Sequence, residues 1–173
     1  MKKLENYSEE EWNIVSTLPH LVGMSMSGIA ASGIVGTTKE MIANSKAWKN
    51  AKEKYADNHL IQAMMPSLES FGESMSEAKL SSNKIMDKIK SSEVKDAEEM
   101  ADMVMHDADR AMDILEEKES RETVEEFKLW LLEIAEDVAK AGVEGDFFGF
   151  GGTEYSEKEK QLFDDLNDSL NKE

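Results

Sequence analysis

Cysteine is absent from this chain of 173 residues. That absence excludes disulfides, thiolate metal ligands and cysteine nucleophiles. Proline is almost absent too, with only Pro19 and Pro66, so few helix breaks are imposed on the backbone. Histidine occurs at three scattered positions, His20, His59 and His106. Two histidines one helical turn apart, as a hydrolase zinc site needs, cannot be assembled from them. The residues three before them are Thr17, Ala56 and Met103. None is Glu, so the inward-facing Glu-x-x-His pairs of di-iron bundles are missing. Positive charge is scarce as well: 20 Lys and Arg against 37 Asp and Glu give a net charge of −17. Such a surface repels nucleic-acid phosphate and anionic lipid, and favours solubility and cationic partners. Residues 1–60 are electrically balanced, so the whole excess lies in residues 61–173.

What the chain does have is helical periodicity. Val94, Ala97, Ala101, Val104, Ala108, Ala111 and Leu115 follow an alternating spacing of three and four, as do Val124, Phe127, Leu131, Ile134, Val138 and Ala141. On an α-helix such residues form one seam. A short connection at Ser120 predicts that the two helices lie antiparallel, with the alanines of the first opposite the large side chains of the second. Trp130 and Leu132 flank the second seam and widen it.

Capping boxes mark helix starts at Ser8/Glu11, Thr37/Glu40, Ser74/Glu77 and Ser156/Glu159, with Ser92 and Ser120 as further caps. The pattern predicts helices over 9–18, 20–32, 38–56, 58–70, 75–90, 93–118, 121–142 and 157–170. Several of these are expected to merge, Pro19 and Pro66 acting either as first-turn residues or as kinks. Asp57–Asn58 reads as a break followed by a new cap. Gly33, Gly36, Gly142 and Gly145 read as helix ends. Residues 1–173 are expected to form one all-α domain, an antiparallel bundle of four or five long helices with a short C-terminal helix.

Residues Trp12–Thr38 hold no Asp, Glu, Lys or Arg across 27 positions. That length could span a bilayer. Pro19, His20, Asn13 and many Ser and Gly argue instead for a helix buried on nearly all sides, with Gly23, Ser25, Ser27, Gly28, Ala30 and Ala31 allowing close neighbours. Lys2 and Lys3 run straight into Glu5 and Glu9–Glu11 with no apolar stretch behind them. No secretory signal is therefore expected, and a cytoplasmic location is the expectation.

The 12 methionines read as an adaptable core. Asp102, His106, Asp109 and Asp113 lie near one helix face and read as solvated, with no metal site expected. The most unusual local sequence is Glu144-Gly-Asp-Phe-Phe-Gly-Phe-Gly-Gly-Thr153. It lacks the Lys or Arg and the strand–loop–helix setting of a phosphate loop. Phe147, Phe148 and Phe150 fold back as a plug over the bundle end on one reading, the preferred one because buried aromatics dominate core energetics. On the other they form an exposed docking patch.

The segment Trp130-Leu-Leu-Glu-Ile-Ala-Glu-Asp-Val-Ala-Lys-Ala141, followed by Glu144-Gly145, Phe148-Gly-Phe-Gly-Gly152 and a helix opening at Ser156, resembles a group of small uncharacterised helical proteins. Tyr7-Ser-Glu-Glu-Glu-Trp12 and Leu18-Pro-His-Leu-Val-Gly-Met24 are similar to that group too. The resemblance covers both ends of the chain and implies a fold but no catalytic residues.

No nucleophile–base pair, cofactor motif or metal constellation is legible, so neither an enzyme nor a cofactor is expected. The expected function is a protein-interaction or self-associating module, with a protein partner or a second copy bound through Phe147, Phe148, Phe150 and Trp130. The alternative is a small-ligand or metal binder with a Met- and aromatic-lined cavity inside the bundle.

Overall fold

The computed structural model describes residues 3–30, 48–65, 83–143 and 157–172. These residues are helical, with turns and caps between, and contain no strand. Seven helical segments occur among them. They are α1 (Glu9–Ala30), α2 (residues 48–54), α3 (His59–Met64), α4 (residues 83–91), α5 (Ala97–Lys118), α6 (Arg121–Val143) and α7 (Glu157–Leu170).

α1 opens on the capping box expected of it: the Ser8 N–H donates to Glu11 Oε2 at 2.7 Å, and the Glu11 N–H to Ser8 Oγ at 3.2 Å. Glu9, Glu10 and Glu11 complement the positive end of the helix dipole. The helix then runs unbroken through Pro19, merging the two predicted segments. An internal proline costs one backbone hydrogen bond and about 3 kcal/mol. Burial offsets that cost here. Trp12, Ile14, Val15, Leu18, Leu21, Val22 and Met26 are all buried, and between Trp12 and Ser27 only Asn13, His20 and Met24 keep appreciable exposure. The uncharged stretch is thus a core helix, and no helix among the described residues is long and apolar enough to cross a membrane.

Two other boundaries differ from expectation. α3 ends at Met64, and the remainder of the predicted 58–70 segment, from Pro66 on, lies outside the described residues. Met65 precedes Pro66, whose ring disfavours helical geometry in its neighbour, and Met65 accordingly adopts φ −67°, ψ 141°. α5 starts at Ala97, capped by Asp96 and not by Ser92. Asp96 Oδ1 accepts the N–H groups of Glu98 and Glu99, and Glu99 Oε2 accepts the Lys95 N–H at 2.7 Å. Glu93 lies between α4 and α5 at φ 55°, a left-handed residue that ends one helix before the next begins. Asn58 is the N-cap predicted for α3, and its Oδ1 accepts the Ile61 N–H at 3.0 Å.

The main correction concerns which helices face each other. The seams of α5 and α6 are buried largely as their spacing predicts: Val104, Ala108, Ala111 and Leu115 in one, and Val124, Phe127, Leu131, Ile134 and Val138 in the other. Yet α5 and α6 touch each other little. Each packs chiefly on α1, and α7 covers them both. The small α5 side chains therefore make room for α1, whose nearly all-round apolar surface needs neighbours on several sides. α1 runs antiparallel to α5: Arg110 pairs with Glu10 at 3.0 Å, and Lys118 with Glu11 at 3.2 Å. α7 is pinned on α5 through Asp109, which accepts from the Ser169 hydroxyl and pairs with Lys172 at 2.9 Å. Those two contacts hold the Asp109 carboxyl below the usual carboxylate range, the Ser169 bond more strongly.

Candidate functional site

Trp130 is the only residue of the expected site that lies among the described residues; Phe147, Phe148 and Phe150 fall outside them. Its position on α6 is set by the seam. Phe127 and Leu131 are buried on either side of it in sequence, and the indole itself is fully buried. Three aromatic contacts follow. The Phe127 and Trp130 rings meet edge to face at 5.9 Å. Trp48, from α2, meets Trp130 edge to face at 5.0 Å. His20, from α1, stacks on Trp48 at 4.2 Å with the planes 17° apart. Three helices remote in sequence therefore build one aromatic cluster, with α6 at its buried end and His20 and Trp48 toward the surface.

The electrostatics of this cluster are unusual for a core. Burial lowers the pKa of His20 to about 4, so the imidazole is neutral near pH 7. Among the described residues neither Trp48 Nε1 nor Trp130 Nε1 has a hydrogen-bond acceptor, although both atoms are buried. An indole nitrogen can only donate. A buried donor left unpaired costs about 1–3 kcal/mol. Both lie in the cluster, where the Trp48 and Trp130 rings touch and His20 stacks on Trp48; Ser25 Oγ and Asp107 Oδ2 are the other two such atoms.

A second polar constellation closes the end of the bundle where α1 starts, α3 starts and α5 turns into α6. Glu119, in that turn, has a side chain only 3% exposed. Its Oε1 accepts the Tyr7 hydroxyl at 2.6 Å, and its Oε2 faces His59 Nε2 at 2.9 Å. Burial, and then the bond to Glu119, push the Tyr7 phenol well above its ordinary value. Nearby, Asn58 donates to the Thr123 carbonyl at 3.2 Å and to Glu126 Oε2 at 2.8 Å, tying α3 to α6. The Glu119 carboxylate, the Tyr7 hydroxyl and the Asn58 amide are all engaged within the chain, so the arrangement fastens elements together. Sequence reading missed it because Tyr7 and Glu119 are 112 positions apart and no local pattern links them.

Two further ionic groups hold the periphery. Lys88 of α4 lies against the buried Asp107 of α5. Lys54 and Tyr55 both reach Glu133 of α6, the phenol at 2.9 Å. Of the acidic face singled out on α5, Asp102, His106 and Asp113 are exposed and Asp109 is occupied by α7. Among the described residues no three His, Asp or Glu side chains gather in a way that could hold a metal ion.

Known proteins supply no further guide: no protein family, no curated protein and no solved structure matches this chain.

Proposed function

We propose that this chain is a non-enzymatic binding module, and that its binding element is the Trp48–His20–Trp130 cluster, which takes a small ligand. One observation supports this reading above the others: two buried indole N–H groups without acceptors, flanked by a neutral imidazole. Elsewhere in the described interior only Ser25 Oγ and Asp107 Oδ2 are buried without a hydrogen bond, and Asp107 is ion-paired with Lys88. Native mass spectrometry of gently purified full-length protein tests the reading. A co-purifying small molecule, absent from the Trp130→Phe and Trp48→Phe variants, is the expected result. Identical ligand-free masses for all three proteins under saturating small-molecule screens would reject it.

A protein partner or a second copy is the second reading. Leu129, 53% exposed on α6, favours it. A single exposed leucine is ordinary on a helical protein, so it carries less weight than two unpaired donors. Light scattering of the wild type and of Leu129→Lys would reveal self-association that depends on this residue.

A further inference from the structure

We propose that Tyr7, Glu119 and His59 form a proton-operated clasp, which holds the segment before α1 to the α5–α6 turn while the His59 imidazole is protonated and loosens when that ring is neutral. The inference concerns a different part of the fold from the aromatic cluster and does not depend on a ligand.

The clasp stands on an asymmetry of burial. The Glu119 side chain is 3% exposed, whereas the His59 side chain that faces it at 2.9 Å is 58% exposed. A carboxylate so buried is stable as an ion only with a counter-charge and hydrogen bonds. Elsewhere between helices a lysine supplies that charge: Lys88 to Asp107, Lys54 to Glu133 and Lys172 to Asp109. At Glu119 an imidazole takes the place, and among the described residues no Lys or Arg lies within ion-pair distance of it. An imidazole, unlike an ammonium group, ordinarily changes charge between about pH 5 and 8. His59 is the first residue of α3, where the helix dipole disfavours a positive charge, so Glu119 is what favours a protonated ring there. The nearby cations are engaged elsewhere. Lys118 pairs with Glu11 at 3.2 Å and donates to the Asn6 carbonyl, and Lys3 donates to the Tyr7 carbonyl and lies 3.6 Å from Glu9. Glu126 of α6, which accepts from Asn58, adds negative charge to the same end. With His59 neutral, Glu119 therefore keeps hydrogen bonds but loses its counter-charge, and gains by turning toward water.

Tyr7 passes the effect on. Its hydroxyl donates to the other Glu119 oxygen at 2.6 Å, and burial keeps the phenol protonated well beyond this pH range. A carboxylate that turns outward breaks this bond. The Tyr7 ring also meets Trp12 edge to face at 5.6 Å, so loosening Tyr7 changes the surroundings of an α1 side chain.

Proton–nitrogen correlation spectra of the isotope-labelled full chain provide the test, because each tryptophan gives its own indole N–H signal. Trp12 is the reporter, and Trp48 and Trp130, which lie in the other cluster, show that the fold is intact. As the pH is raised from about 5 to 8, across the imidazole range, the wild-type Trp12 signal is expected to move to a second position while the other two stay in place. The amides of residues 3–8 should lose protection from hydrogen exchange in step with it. His59→Gln, neutral at every pH, should show the high-pH Trp12 position throughout. His59→Lys, charged at every pH in this range, should show the low-pH position throughout. His106→Gln, which changes an exposed histidine elsewhere on α5, should keep the wild-type transition. A wild-type Trp12 signal that ignores pH would overturn the clasp. So would a transition that survives in His59→Gln or in His59→Lys, since the charge on this ring would then not be what the segment before α1 responds to.

Discussion

His59 Nε2 lies 2.9 Å from Glu119 Oε2, so an exposed imidazole is fixed against a buried carboxylate whose other oxygen holds the Tyr7 hydroxyl. One side chain in the α5–α6 turn thereby joins the segment before α1 to the first residue of α3. The link is polar and its carboxylate is buried, so Tyr7 and Glu119 depend on each other.

Glu119→Ala should destabilise the protein by about 2–4 kcal/mol, because it leaves a buried phenol without an acceptor and frees two chain segments. Urea denaturation measures this. The Tyr7→Phe change should cost much less in the Glu119→Ala background than in the wild type, and additive costs would show that the two side chains do not act as a unit.

Leu131 is fully buried in the α6 seam. Leu131→Ala should cost about 2–5 kcal/mol through lost transfer energy and a residual cavity. A change below about 0.5 kcal/mol in the same denaturation experiment, the range of surface sites, would contradict its core position.

His20 titrates at about 4 in the fold against an ordinary 6.5. The folded value is the lower one, so its contribution to stability is full above the ordinary value and is lost as pH falls toward the folded one. By linkage the loss reaches at most about 3 kcal/mol. Asp109 and Glu11 are also held low, but they lose their contributions within the more acidic carboxylate range. Stability measured from neutral pH down to the folded His20 value should therefore decline in the wild type, and the decline should flatten in His20→Phe. Parallel curves would place the proton uptake elsewhere.

Lys88 and Asp107 form the least exposed ion pair between α4 and α5, with side chains 15% and 5% exposed. Lys88→Ala should cost about 2–4 kcal/mol by stranding a buried carboxylate, whereas Lys88→Met combined with Asp107→Leu should be close to neutral. Hydrogen exchange would localise the loss: amides of residues 83–91 should lose protection first in Lys88→Ala. Uniform loss across the bundle would show that α4 is not separately held by this pair.

Helix content and most boundaries were legible in the sequence because their causes are local. The Ser8/Glu11 box, the Asn58 cap, the Ser120 turn and the seams of α5 and α6 each depend on residues within one or two turns of one another, and the limits of α6 and α7 match the periodicity closely. The end of α3 is also local, set by the Met65–Pro66 dipeptide.

The partnership of the helices was decided by tertiary structure alone. A seam states that a face is buried and not what buries it, and α1 took the place between α5 and α6 because its own surface is apolar almost all round. The same reason hid both polar constellations. His20, Trp48 and Trp130 come from three helices, and Tyr7, His59 and Glu119 from three separate segments of the chain; each residue alone reads as an ordinary core or surface side chain. Only packing creates the burial that makes His20 neutral and leaves two indole donors unpaired, since desolvation belongs to a place in the fold and not to a position in the sequence.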